Sequence, residues 1–121
     1  MGSKGIQSHI SVADYLVDWS TFKSLLQTVF GAEEQPKTVV ADTTWMDDWY
    51  HEFLAALPAS QKPDIVTHHL YSMGPGNDPN LWLTALNVTI LDKVKALGDQ
   101  VQKTIQVTSP GSSVWLGEGG G

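Results

Sequence analysis

Val114-Trp115-Leu116-Gly117-Glu118-Gly119-Gly120-Gly121 stands at the end of the 121-residue sequence and decides how the rest is read. Val114 to Leu116 are β-branched, aromatic and aliphatic in turn, with no charge, which predicts a buried strand. Glu118 follows where that strand ends. The glycines after it lack a Cβ and leave room for a ligand to approach the backbone. In open parallel sheets and in (β/α)8 barrels, reacting groups gather at this C-terminal edge. Lone strand-end carboxylates are also common as plain solvated residues, so the motif has to be weighed with the rest of the chain.

Two further strands lie upstream. Ile65-Val66-Thr67-His68-His69-Leu70-Tyr71 follows Pro63-Asp64, and the shorter Thr38-Val39-Val40-Ala41 is ended by Asp42-Thr43-Thr44. Helical patterns separate them. Val12, Leu16, Trp19, Phe22, Leu26 and Phe30 recur at spacings of three and four, predicting an amphipathic helix over residues 11–30. Ser11 with Asp14 resembles a capping box, and Gly31 can close the helix in a left-handed cap. Thr44 as N-cap predicts a second helix over residues 45–57, with Trp45, Trp49, Phe53 and Leu57 as its stripe and Pro58 as its stop. Asp47 and Asp48 fall in its first turn, where the helix dipole favours them, so they need no metal to explain them. Residues 72–80 read as a loop rich in glycine, proline and asparagine. Leu91, Val94, Leu97, Val101 and Ile105 predict the third helix, and Pro110-Gly111 a turn before the last strand.

Helix and strand alternate three times, which implies parallel pairing with right-handed crossovers. The predicted fold is α/β: part of a (β/α)8 barrel, with three parallel strands and three helices. Three strands leave sheet edges unpaired. The expectation is therefore a fragment of a catalytic barrel over residues 1–121, not a complete domain.

Composition narrows the function. The net charge is −6 and only seven Lys and Arg are present, without clustering, so no basic footprint for nucleic acid exists. No cysteine is available for disulfides or thiolate chemistry. No apolar run approaches the roughly 20 residues of a membrane span, and residues 1–10 carry no apolar core of a secretory signal. A nucleophilic serine lacks its Gly-x-Ser-x-Gly elbow, and no phosphate-binding glycine motif occurs. Five tryptophans are many for this length; each serves either core packing or stacking against sugar rings.

Asp42, His68 and Glu118 each end or follow an apolar β run, so parallel pairing brings them to one edge. Neighbours on a strand point to opposite faces, so His68 and His69 do not share one ion; one faces the site and the other packs beneath a helix. No set of three or four converging ligands is spaced for zinc, and neither metal nor cofactor is expected. Asn87-Val88-Thr89 is a glycosylation sequon that matters only in a secreted chain, and Asn87 or Thr89 equally suits helix capping.

Val114 to Glu118 resembles the nucleophile motif of the heparanase and β-glucuronidase-like glycoside hydrolases, family 79. His68-His69-Leu70-Tyr71, with the glycine-rich Gly74-Pro75-Gly76-Asn77-Asp78-Pro79 after it, is similar to the plant and microbial members' segment. Val39-Val40-Ala41-Asp42-Thr43 resembles the family's Gly-Pro-Asp-Thr strand, with Ala41 in place of Pro, and Gly5-Ile6 through Tyr15 the segment after the fourth barrel strand. The resemblance implies that the chain runs from helix 4 to strand 7. It implies Glu118 as nucleophile, His68 as a sugar contact with Leu70 the next inward position, and Gly120-Gly121 as the Gly-Gly after the nucleophile. Gly119 replaces a usual Ser or Thr.

The family's acid/base is the Glu of an Asn-Glu pair, and no Asn-Glu occurs in these residues. Retaining hydrolysis needs two carboxylates about 5–5.5 Å apart. The expectation is a nucleophile-bearing part of a retaining hydrolase of uronic-acid-containing glycans, inactive by itself. The competing expectation is a non-catalytic carbohydrate-binding remnant of a truncated gene. Secretion, a lysosomal site, and cell-wall or membrane association follow from the resemblance alone.

Overall fold

The computed structural model describes residues 10–74 and 76–120, with the side chain of Leu91 outside the description. The expectations for Gly5-Ile6, Pro75 and Gly121 lie outside the described residues. Among the described residues, seven regular elements and one 3-10 turn follow in order: α1 Val12–Phe30, β1 Val39–Thr44, α2 Asp47–Ala56, the turn Ala59–Gln61, β2 Ile65–Tyr71, α3 Leu81–Ala85, α4 Val88–Thr108 and β3 Ser113–Gly120. The three strands form one parallel sheet in the order β1-β2-β3. The chain is thus α/β, with helices linking parallel strands, consistent with part of a (β/α)8 barrel.

Helix α1 starts as its sequence predicts. The Ser11 hydroxyl accepts from the Asp14 N–H at 3.1 Å, and Gly31, at φ 70°, caps the other end by donating to the Gln27 carbonyl. Its stripe is covered only at the N-terminal half. Val12 and Trp19 are buried, whereas Phe22 and Phe30 are exposed, because the helix runs on past the elements it packs against.

Two predicted boundaries move. Helix α2 begins at Asp47, not Trp45; Thr44 is the last residue of β1, and Met46 takes the N-cap place without a side-chain bond. Trp45 has left the helix to stack on Tyr50, with ring centroids 4.2 Å apart. The buried stripe of α2 consequently includes Tyr50 and Leu54, both wholly covered, beside Phe53. Past residue 80 the chain forms two helices where one was expected. The short α3 breaks at Leu86, and Asn87 caps α4 by accepting from the Thr89 N–H at 3.0 Å. The capping role expected for the sequon residue is therefore realised.

One apolar core lies between the helices and one face of the sheet. Val12, Trp19, Val40, Trp45, Tyr50, Phe53, Leu54, Leu57, Val66, Val101 and Ile105 form it. Polar bonds tie it at both ends. The Asp64 carboxylate accepts from the N–H and hydroxyl of Thr38 at 2.7 and 2.8 Å, joining the starts of β1 and β2. Ser113 N–H donates to the Asp64 carbonyl, bringing β3 to the same rim. At the other rim, the buried Tyr50 hydroxyl donates to the Thr67 carbonyl at 2.9 Å. Asp47 accepts from Thr104 at 2.8 Å and so links α2 to α4.

Candidate functional site

Val66 belongs to the core, so alternation places Thr67, His69 and Tyr71 of β2 on the opposite, helix-free face. On β3, Val114 packs against the core, which puts Trp115 and Gly117 on that same free face. Strict alternation would return Glu118 to the helix side. The register prevents this. His68 pairs with Leu116 but His69 pairs with Glu118, so one extra residue, Gly117, is inserted opposite β2. Such a bulge re-aims every side chain that follows it. Glu118 thereby joins the face of His69.

A second irregularity lies on β1. Val40 pairs with Val66 and Thr43 with His68, which leaves Ala41 and Asp42 as the irregular pair. Asp42 has a φ of 42°, in the left-handed region that Asp tolerates better than most side chains. Its N–H donates to the Thr67 hydroxyl at 3.0 Å. Its carboxylate is carried over β2 toward β3.

His69 is the hub. Its Nε2 lies 3.0 Å from Asp42 Oδ1, and its Nδ1 lies 3.2 Å from Glu118 Oε2. The ring thus bridges the two carboxylates, hydrogen-bonded to Asp42 and within ion-pair distance of Glu118. The other Glu118 oxygen, Oε1, accepts the Tyr71 hydroxyl. That bond, with the negative charge it faces, raises the Tyr71 pKa above the ordinary phenol value. The side chain of His69 is 18% exposed while those of Asp42 and Glu118 are 65% and 56% exposed, so the ring is seated and the carboxylates face solvent.

Gly117 is required by this arrangement. A Cβ there would enter the van der Waals envelope of Asp42 Oδ1 and come within 3.3 Å of Thr67 Cβ.

The expected contact of His68 with the site is corrected. His68 lies on the helix side, 6% exposed, edge-on to Trp45 with its Nδ1 unpartnered. Burial lowers its pKa, favouring the neutral ring. The residue reaching Glu118 is His69, and the next inward position is Tyr71, not Leu70. The expected division of the pair stands, one ring at the site and one beneath a helix, with the two exchanged. Glu118, Asp42 and Gly120 lie at the same edge of the sheet, with Gly120 beside Tyr71 in register. Gly121 lies outside the described residues. Asn87 caps α4. Among the described residues, no group of three or more His, Asp or Glu side chains is arranged to hold a metal ion.

Sequence reading missed His69, Tyr71, Thr67 and Gly117. The signal was the glycine inside Val-Trp-Leu-Gly-Glu, since a lone glycine in a strand pattern marks a bulge.

Glu118, His69 and Tyr71 thus lie together at the C-terminal edge of the parallel strands, the edge at which reacting groups gather in α/β scaffolds. The family model described as "Glycosyl hydrolase family 79, N-terminal domain" matches residues 1–121, and the chain belongs to that family. It is 33% identical over 122 residues to "Heparanase-like protein 2" of Arabidopsis thaliana, covering 100% of this chain and 22% of that protein. It is 26% identical over 114 residues to "Baicalin-beta-D-glucuronidase" of Scutellaria baicalensis, covering 93% of this chain and 21% of that protein. The chain thus spans about a fifth of the length of these relatives.

Proposed function

We propose that this chain carries the nucleophile of a retaining glycosidase acting on uronic-acid-bearing glycans, and that Glu118 is that nucleophile. The observation that carries the reading is the seating of Glu118 at the C-terminal edge of the sheet, one oxygen on Tyr71 and the other on His69. A carboxylate held at both oxygens has its remaining lone pairs directed before the sugar arrives, which favours attack. The substrate class is supported by a relative named for a glucuronidase activity and by others named heparanase-like.

In this reading a Glu118 oxygen attacks the anomeric carbon as the bond to the leaving oxygen breaks. A second carboxylic acid protonates that oxygen, and its carboxylate then activates water against the glycosyl-enzyme. Asp42 does not fill that place, because the His69 ring stands between it and Glu118. The 121 residues also contain no Asn-Glu pair. The chain by itself is therefore expected to perform half of the reaction.

A leaving group that needs no proton tests this directly. With 2,4-dinitrophenyl glucuronide, the purified chain is expected to release a burst of about one equivalent of dinitrophenolate without turnover, leaving a uronyl adduct on the peptide containing Glu118. Glu118→Gln abolishes the burst. Steady turnover that Glu118→Gln abolishes would mean that the chain contains its own acid/base. No burst from the unmodified chain would remove Glu118 as the nucleophile.

Trp115 favours a second reading. Its indole is 55% exposed on the face that carries Glu118, a surface on which a sugar ring can stack. Saturable binding of a glucuronide with neither burst nor adduct would assign the chain to non-catalytic carbohydrate binding.

A further inference from the structure

We propose that Asp42 is a positioning residue that acts on Glu118 through His69, and that Gly117 is a glycine so that Asp42 can do so. The inference rests on Glu118 being the nucleophile. Three independent features converge on the Asp42 carboxylate. The chain enters the left-handed region at Asp42, held there by the bond from its N–H to Thr67, and this swings the side chain off the line of β1. Its Oδ1 meets His69 Nε2 at 3.0 Å. The space it occupies is the space a side chain at position 117 would need. A merely solvated strand-end carboxylate would require none of these.

The consequence concerns the orientation of a ring. Imidazole presents Nδ1 to Glu118 in one orientation and a carbon in the orientation reached by turning about Cβ–Cγ. With Nε2 bound to Asp42, the orientation that places Nδ1 3.2 Å from Glu118 Oε2 is the one retained. A carboxylate or carbonyl that orients a ring in this way fixes which nitrogen faces the reacting group. Without Asp42, Glu118 keeps its bond from Tyr71 but loses the fixed ring nitrogen beside its other oxygen.

Three variants of the 121-residue chain separate position from charge. Asp42→Gly removes the carboxylate and suits the backbone angle. Asp42→Asn keeps an acceptor without the charge. Gly117→Ala keeps the charge and displaces the carboxylate. The burst with 2,4-dinitrophenyl glucuronide is expected to slow roughly 10- to 100-fold in Asp42→Gly and Gly117→Ala, with most of the rate recovered in Asp42→Asn. The concentration giving half the maximal burst rate stays unchanged. In long-range proton–nitrogen spectra of the same proteins, the His69 ring signals move in Asp42→Gly and Gly117→Ala while those of His68, on the other face, stay in place.

His69 signals indifferent to both variants would overturn the proposal. So would a loss confined to half-saturation with the maximal burst rate kept, which makes Asp42 a sugar contact. The two readings fail separately. An unmodified chain without a burst removes the nucleophile assignment. The ring spectra then decide alone whether Asp42 holds His69.

Discussion

His68 shows how much one strand position decides. It and His69 are chemically the same residue, yet one is buried against Trp45 with a free ring nitrogen and the other joins two carboxylates. Burial holds the His68 pKa below its ordinary value of 6.5. The unfolded chain therefore takes up this proton at a higher pH than the folded chain does. The stability associated with the neutral ring is complete above pH 6.5 and is lost as the pH falls toward the lower folded value, by at most about 1.4 kcal/mol per pH unit. His68→Leu is expected to flatten this dependence. Urea midpoints at pH 5 and pH 7.5 should then lie closer together in the variant than in the parent. A parent whose midpoint does not move between the two values would contradict a buried neutral His68.

At the scale of the elements, the sheet works differently at its two rims. The rim opposite the site is tied for stability: Asp64 accepts two bonds from Thr38, and its carbonyl accepts from Ser113. The Thr38 backbone bond is the chief reason that Asp64 is more acidic than the ordinary 3.8, and the Thr104 bond does the same for Asp47. Both shifts are downward, so the stability they contribute is present above pH 3.8 and is lost as the pH falls through the lower folded values. Asp64→Ala should lower stability by about 1–3 kcal/mol at pH 7, because it leaves the Thr38 N–H without its acceptor. The difference from the parent should be smaller at a pH below 3.8 than at pH 7, because the stability tied to the lowered Asp64 pKa is lost as the pH falls from 3.8 through the lower folded value. Denaturant unfolding at the two pH values checks both statements. The site rim instead carries two bulges and a left-handed Asp42, departures from regular pairing that suit a site more than a core.

For the molecule as a whole, β1 and β3 are the outer strands of the sheet, and β3 exposes Trp115 and Leu116 at 55% and 57%. Outer strands with exposed apolar side chains invite pairing with another chain. The isolated chain is expected to self-associate as its concentration rises, in sedimentation or light scattering. Leu116→Lys should reduce this without changing the far-UV circular dichroism, since a charge on an edge strand opposes strand addition. A monomer at all concentrations that unfolds in one cooperative step would instead mark an independent α/β module.

The linear sequence determined what depends on neighbours along the chain. The period of three and four in residues 12–30, the Ser11 and Asn87 caps, the Gly31 stop and the three apolar runs all act within a few residues, and all reappear as elements. Parallel pairing followed from the alternation of those elements. Strand β3, however, runs on to Gly120, so Glu118 lies within its C-terminal part. Trp115 and Leu116 are exposed where a buried strand was expected, because β3 is an outer strand of the sheet. Only the tertiary structure decided which histidine meets Glu118. Alternation by two assigns His68. One inserted residue at Gly117 reverses the face of Glu118 and assigns His69 and Tyr71. That insertion exists because β3 must pair with β2 while leaving room for a carboxylate that arrives from β1, and no window of sequence contains all three strands.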